Sequence, residues 1–180
     1  MIDGLDDYSW AMNEPDLREL SHENRDATAI RFLYISSFNR KVSVRITKSG
    51  KTITLTAVQL DGMGGYAPGK VALKKVVRLS QEQWETVSRK LEKLKFWEMK
   101  REKWIPATAG ANLELEAASL GNYHVAFRRF PVPGDYLGLF RSMIQLSGID
   151  ERVAFDAKKG VHEARIESPA GRVAVSSLMG

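Results

Sequence analysis

Four side chains around residue 120 carry the groups that acid–base or anion-binding chemistry uses. Glu114 and Glu116 alternate with apolar residues in one run, and His124 and Arg128 follow after a turn. An imidazole titrates near neutral pH, a guanidinium binds anionic oxygens, and carboxylates accept protons. Because side chains alternate between the two faces of a strand, we expect all four on one face of a hairpin. They are the candidate catalytic residues.

The same hairpin also has a purely structural interpretation, because cross-strand ion pairs are common on the wet face of an antiparallel sheet. One register keeps a single face apolar and places Glu114 opposite Arg128 on the other face. Its apolar pairs are Leu115 with Phe127 and Ala117 with Val125. That register requires a loop with an odd number of residues, such as residues 120–122.

A glycine-rich loop precedes the hairpin, and residues 64–70 match the G-x-x-x-x-G-K part of a phosphate-binding loop. Val71 stands where such a loop needs a hydroxyl for magnesium, and the β-branched run that follows predicts a strand where a helix is required. Residues 62–67 also imitate a dinucleotide fingerprint without its βαβ unit. We interpret the loop as a turn with Tyr66 packed on Pro68, and we predict no cofactor.

Metal binding is not predicted. His22, His124 and His162 lie far apart in the sequence, and the chain contains no cysteine. None of the histidines belongs to a spacing that places two ligands on one helix face, and no loop has the alternating acidic pattern of a calcium site.

A basic segment, residues 89–104, mixes cations with aromatic side chains, as surfaces that bind nucleic acid do. Glu92, Glu98 and Glu102 interrupt its positive charge, and we expect Trp97 to close a helix end against the sheet. The candidate partner-binding residues in and near this segment are Tyr66, Lys90, Lys93, Trp97, Arg101 and Trp104.

These residues must be positioned by one α+β domain with a mostly antiparallel sheet. The length of 180 residues suits a single core, and 43% hydrophobic with 27% charged residues is an ordinary globular composition. The predicted elements, in chain order, are strands at 30–35, 42–46, 53–58 and 71–79, a helix capped by Ser80 and ending near Lys95, a hairpin at 113–130, and a helix capped by Asp135 and stopped by Gly148.

The domain plan predicts three parts. Residues 1–28 are expected to form an acidic arm outside the core, residues 29–155 the α+β domain, and residues 156–180 a loosely ordered tail. The net charge of +5 is concentrated in a basic middle that could attract an acidic partner. The acidic amino terminus and the absence of a long apolar run predict a cytoplasmic protein with no membrane segment.

Three motifs together resemble an uncharacterised family of small bacterial proteins, over about residues 30–150. They are Gly64-Gly65-Tyr66-Ala67-Pro68-Gly69, Phe96-Trp97, and the hairpin run Gly121-Asn122-Tyr123-His124 with Arg128. In that family the hairpin resembles W-x-x-E…G-x-Y-H-x-x-x-R-W-x-P. The chain keeps Glu116, Tyr123, His124, Arg128 and Pro131, and has Leu113 and Arg129 in place of the tryptophans. The resemblance implies a fold boundary and no established activity.

Three hypotheses for function follow. The first is a non-catalytic bacterial protein that binds another polypeptide, one form of which is an immunity protein that neutralises a secreted toxin. The second is a small enzyme or anion-binding protein that uses the His124 and Arg128 face. The third is a nucleic-acid-binding module that uses residues 89–104. The sequence leaves the partner and the oligomeric state open.

Overall fold

A computed structural model of the chain describes residues 6–23, 26–37, 39–62, 68–101 and 110–150. Its strands form one six-stranded antiparallel sheet in the order β4-β3-β2-β1-β5-β6. The elements are α1 (Asp6–Ala11), α2 (Leu17–Glu23), β1 (Ala27–Ser36), β2 (Val42–Ser49), β3 (Thr52–Leu60), β4 (Val71–Arg78), α3 (Gln81–Lys93), a short 3-10 helix (Phe96–Glu98), β5 (Ala111–Ser119), β6 (Asn122–Arg129) and α4 (Gly134–Ser147). The predicted α+β fold is confirmed.

Helices α3 and α4 pack on one side of the sheet, called here the helix face. Phe32 of β1 lies between two rings of α4, with its ring centroid 5.4 Å from Tyr136 and 5.3 Å from Phe140. Trp84 and Val87 bring the apolar stripe of α3 into the same core. Aromatic pairs in such edge-to-face contact add to the stabilisation that burial provides.

The helix ends follow local rules, with one exception. Ser80 forms the predicted capping box with Gln83, and Gly148 ends α4 in the left-handed conformation at φ 66°. The prediction that Asp135 caps α4 is wrong, because Pro133 occupies the cap position and Asp135 lies in the first turn. There its charge still favours the helix N-terminus. In the described part of the chain, no helix is both long and apolar enough to cross a membrane.

The expectation that the first segment stays outside the core is wrong. Tyr8, Met12 and Leu17 are buried against the opposite side of the sheet, called here the second face. Because α3 and α4 cover only the helix face, the apolar side chains of the second face, such as Leu33, need their own cover, and α1 and α2 provide it. The predicted tail at residues 156–180 lies outside the described residues.

The predicted hairpin register is also wrong, by one residue. Leu115 lies opposite Ala126, and Leu113 lies opposite Arg128. The turn contains two residues, Leu120 and Gly121, whose φ angles of 52° and 79° are those of a type I′ turn. Because both faces of the sheet are covered at β5, an apolar face does not select one register, and the turn fixes the pairing instead.

Candidate functional site

The register separates the four candidate catalytic residues. Glu114 and Glu116 lie opposite Phe127 and Val125, so their side chains point to the second face. His124 and Arg128 belong to the alternate set of β6 and stand on the helix face. The expectation that all four share one face is therefore wrong, and the sheet itself divides the carboxylates from the imidazole and the guanidinium.

On the second face, the carboxylates belong to a buried ion-pair cluster. Nη2 of Arg31 donates hydrogen bonds to both carboxylate oxygens of Glu116, at 2.9 and 2.8 Å. Nη1 of Arg31 donates to the backbone carbonyl of Pro15 at 2.8 Å. The pair therefore joins β1 to β5 and holds the loop between α1 and α2 against the sheet.

A second ion pair extends this cluster into the first segment. The Glu14 carboxylate is buried, and it lies 2.8 Å from Nε of Arg45 and 3.6 Å from Nη1 of Arg31. Neither arginine can give up its proton under physiological conditions, so Glu14 supplies charge compensation as well as a tether. The cluster explains why an acidic segment packs on this sheet.

The protonation states of the cluster follow from its contacts. Burial opposes the charge of Glu116, but a hydrogen bond from Glu114 and the charge of Arg31 lower its pKa below the ordinary value. Burial also opposes the charge of Arg31, and Glu116 overcomes that effect and raises its pKa. Arg31 and Glu116 therefore both stay charged, and their buried pair serves the fold.

Tyr123 borders the cluster on β6. Burial raises the pKa of its phenol, and the neighbouring charge of Glu116 raises it further. Tyr123 therefore keeps its proton at neutral pH, and it acts as an apolar body with a hydroxyl group rather than as a base.

On the helix face, His124 is held by the segment that follows the 3-10 helix. Its Nε2 lies 2.9 Å from the carbonyl oxygen of Met99. A carbonyl only accepts hydrogen bonds, so Nε2 carries the proton and donates. The imidazole ring also contacts Phe96 edge-on, with centroids 5.0 Å apart. These contacts fix the ring orientation and leave Nδ1 as its remaining polar atom.

Arg128 is held by the same segment. Its Nη1 donates to the carbonyl of Phe127 at 2.6 Å and to that of Lys100 at 3.2 Å. The next residue, Arg101, contacts the other face of the sheet. Its guanidinium carbon lies 5.4 Å from the centroid of the Phe127 ring, which is on the second face. Residues 99–101 therefore cross the edge of β6, and Arg128 serves as their anchor.

A surface depression lies at the other end of β6. An open depression of about 480 Å³ is lined by Trp97, Ser119, Leu120, Asn122, Tyr123 and His124. Leu120 is 76% exposed and Trp97 is 44% exposed, so two large apolar side chains border it. We name this feature the aromatic depression. Its walls combine apolar rings with hydroxyl, amide and imidazole groups.

The expectation that Trp97 closes the end of α3 against the sheet is wrong. Lys95 adopts a left-handed φ of 50° after α3, and the 3-10 turn that follows places Phe96 in the core. Phe96 thus takes the buried position, and Trp97 is left at the surface beside His124, with ring centroids 6.5 Å apart.

The other predicted partner-binding residues do not join this surface. Nζ of Lys90 donates to Ser142 of α4, and Nζ of Lys93 lies 3.1 Å from Asp135. Both lysines therefore face the α3–α4 contact. Tyr66 and Trp104 lie outside the described residues. Of the six candidates, Trp97 lines the aromatic depression, and Arg101 lies at the far end of β6.

The glycine-rich loop closes as a turn at its described ends. The Asp61 carboxylate accepts a hydrogen bond from the Lys70 amide at 2.7 Å, and the next residue, Val71, begins β4. A Cβ on Gly69 would lie 2.2 Å from the amide nitrogen of Gly62, so this close approach requires glycine. Residues 63–67 are outside the described part, as is most of the apparent phosphate motif. Among the residues described, no group of three acids or histidines is placed to hold a metal ion.

Sequence reasoning missed the turn residues of the aromatic depression. Leu120 occupies the first position of a type I′ turn, where asparagine, aspartate or glycine is usual. A large apolar residue is unusual at such an exposed, left-handed position, but this becomes visible only once the two-residue turn is known.

No model of a known protein family matches the chain, and no curated protein matches it in sequence. The resemblance to an uncharacterised bacterial family therefore stays a prediction. Two of its three motifs do meet in space, because Phe96 and Trp97 both contact the ring of His124.

Proposed function

We propose that this chain is a non-catalytic bacterial protein that binds another polypeptide, and that the aromatic depression receives a side chain of the partner. The observation that supports this proposal is the exposure of Trp97 and Leu120 around an open, mixed polar and apolar hollow. Protein interfaces concentrate their binding energy in such places, where a buried anchor side chain fits a pocket with aromatic walls.

The positions of the candidate acid–base groups support binding over catalysis. A general acid or base must present its proton-transferring atom to a substrate. Here Nε2 of His124 donates to a backbone carbonyl, and Glu116 is paired with Arg31 on the other side of the sheet. The enzyme hypothesis would have to rely on Nδ1 of His124, with Glu114 and Glu116 on the opposite face of the sheet.

A specific form of the proposal is an immunity protein that acts in the bacterial cytoplasm on a secreted toxin. The support for it is indirect: a small cysteine-free domain carries a positive net charge of +5, which would increase the association rate with an acidic partner.

The test starts from the native host. The tagged protein is used to isolate a stoichiometric partner, which is then purified. The dissociation constant of the complex is measured for the wild type and for Trp97→Ala. Loss of a hot-spot tryptophan should weaken binding by at least about 30-fold. Trp10→Ala is the matched control, because Trp10 is 82% exposed on α1 and does not line the aromatic depression. It should change the constant by less than about twofold.

Two results would contradict the proposal. One is the recovery of no stoichiometric partner, and the other is equal binding by Trp97→Ala and Trp10→Ala. The immunity form has its own readout, since the partner should inhibit growth when expressed alone and be harmless when expressed with this protein. A partner that is harmless alone would reject the immunity form and retain polypeptide binding.

A further inference from the structure

In the described part of the chain, strand β4 is an edge of the sheet whose outer side pairs with no other strand. The strand order leaves β4 and β6 at the two edges. Residues 99–101 cross β6 and contact His124, Arg128 and Phe127. Within the described residues, by contrast, β4 pairs with β3 alone. An open edge presents unpaired backbone groups and is a ready template for another strand.

The register identifies which backbone groups of β4 are free. The Leu79 amide donates to the Ile53 carbonyl at 3.0 Å, in the same register that pairs Thr54 with Arg78. Hydrogen-bonded and non-hydrogen-bonded pairs alternate along an antiparallel ladder. Counting back from Leu79, the residues that direct their N–H and C=O groups away from β3 are Lys74, Val76 and Arg78.

The side chains of the same three residues form an exposed row on the second face. Lys74 and Arg78 are exposed, and Val76 between them is 63% exposed. Helix α2 packs on β1, β5 and β6, at the opposite end of the sheet. Strand β4 contains no acidic residue. Along the row, a basic side chain is followed by an apolar one and then by a second basic one. We name these three residues the β4 row.

We propose that β4 binds an extended acidic segment of the partner polypeptide, which adds to the sheet as a seventh strand. The inference rests on the proposed function and names the chemistry of the partner. Backbone hydrogen bonds to the β4 row would supply affinity. Specificity would come from a segment with the pattern acid-x-apolar-x-acid, since its side chains on the second face would lie opposite Arg78, Val76 and Lys74.

A second copy of this chain is a poor occupant of the edge. An antiparallel pair of β4 strands centred on Val76 would set Lys74 of one copy opposite Arg78 of the other, and like charges directly opposite are destabilising. Edge lysines also protect sheets from unwanted pairing. If protection were their sole role here, no extended peptide would bind.

The test uses synthetic peptides with the full-length protein. The probe is a blocked, fluorescein-labelled peptide with the core Glu-Thr-Val-Thr-Glu, and the control peptide has lysine in place of each glutamate. The acidic peptide should bind, and the lysine peptide should bind at least about tenfold more weakly. N-methylation of the peptide amides that point toward β4 should abolish binding, because it removes the backbone hydrogen-bond donors.

Hydrogen exchange locates the bound peptide. Exchange of the Lys74, Val76 and Arg78 amides should slow by at least about tenfold when the peptide is bound. The amides of Lys75 and Val77 already donate to β3, so they are internal controls that should change little.

Charge reversal completes the test. The double variant Lys74→Glu with Arg78→Glu should bind the acidic peptide at least about tenfold more weakly than the wild type. Lys51→Glu with Arg89→Glu makes the same charge change at exposed sites outside β4 and should leave binding within about twofold.

The inference is overturned if neither peptide binds, if both bind equally, if the acidic peptide binds without slowing the three amides, or if the protein dimerises through β4. Because the N-methyl comparison needs no protein variant, the test holds even if a charge reversal unfolds the chain. Trp97→Ala should bind the acidic peptide normally, so a failure at the aromatic depression and a failure at β4 are distinguishable.

Discussion

Arg31 of β1 and Glu116 of β5 lie directly opposite each other in the sheet and form an ion pair of 2.8 Å with both side chains buried. Loss of either partner would leave the other charge buried with weaker compensation, which for Arg31 would come from Glu14 at 3.6 Å. It follows that the pair contributes to the specificity of the β1–β5 register and to the attachment of the first segment through Pro15.

Removing one partner of this pair should be strongly destabilising. Glu116→Ala leaves the Arg31 guanidinium buried without its carboxylate, and we expect the free energy of unfolding to fall by about 3–5 kcal/mol. The double variant Arg31→Met with Glu116→Leu removes both charges and should recover most of that loss. Urea unfolding measures both values. A double variant as unstable as Glu116→Ala would show that the remaining carboxylates, and not this pair, dominate the cluster.

The same pair predicts sensitivity to acid. The folded pKa of Glu116 is lowered, so its stabilisation is fully present above the ordinary glutamate value of 4.5 and is lost as the pH falls through the folded pKa. The unfolding free energy should therefore decrease below about pH 4.5. Glu116→Gln should flatten this part of the profile, measured by urea unfolding at a series of pH values. An equally steep profile in that variant would assign the acid response to other carboxylates.

Lys41 presents the opposite case, a buried charge for which the described residues supply no hydrogen-bond partner. Its Nζ lies 5.3 Å from the centroid of the Tyr8 ring. Lys41→Met keeps the length of the side chain and removes the charge, so we expect the unfolding free energy to rise by about 1–3 kcal/mol near neutral pH. Lys48→Met is the control at a half-buried site.

The pH dependence separates charge from packing at this position. Burial lowers the pKa of Lys41 in the folded protein, so the folded state binds fewer protons than the unfolded state between the folded pKa and the ordinary 10.5. The wild type should therefore gain stability relative to Lys41→Met as the pH rises through this interval. A constant difference between the two proteins would mean that packing alone explains the effect.

Much of the fold could be predicted because its signals are local. The β-rich runs between turn residues gave the strands, and the capping box at Ser80 and the glycine at 148 marked helix ends. Each of these features depends on residues within four or five positions along the chain, so the sequence alone is enough to predict it.

The candidate site could not be predicted in the same way, because it depends on distant contacts. The alternation of Glu114 and Glu116 with apolar residues is typical of a strand with one wet face. The Arg31 guanidinium that buries Glu116 comes from 85 positions earlier in the chain, and the cover of that face comes from the first segment. The exposure of Trp97 likewise depends on a left-handed residue at Lys95.

Leu120 offers a test that separates stability from binding. Its φ of 52° is costly for leucine and readily adopted by asparagine, so Leu120→Asn should raise the unfolding free energy by about 0.5–1 kcal/mol. The same change removes an apolar wall of the aromatic depression and should weaken binding of the native partner by about tenfold or more. Thermal unfolding and titration with the purified partner measure the two effects. Because the predicted changes have opposite signs, weaker binding by this variant cannot come from loss of the fold. A more stable variant that binds the partner as tightly as the wild type would remove Leu120 from the interface.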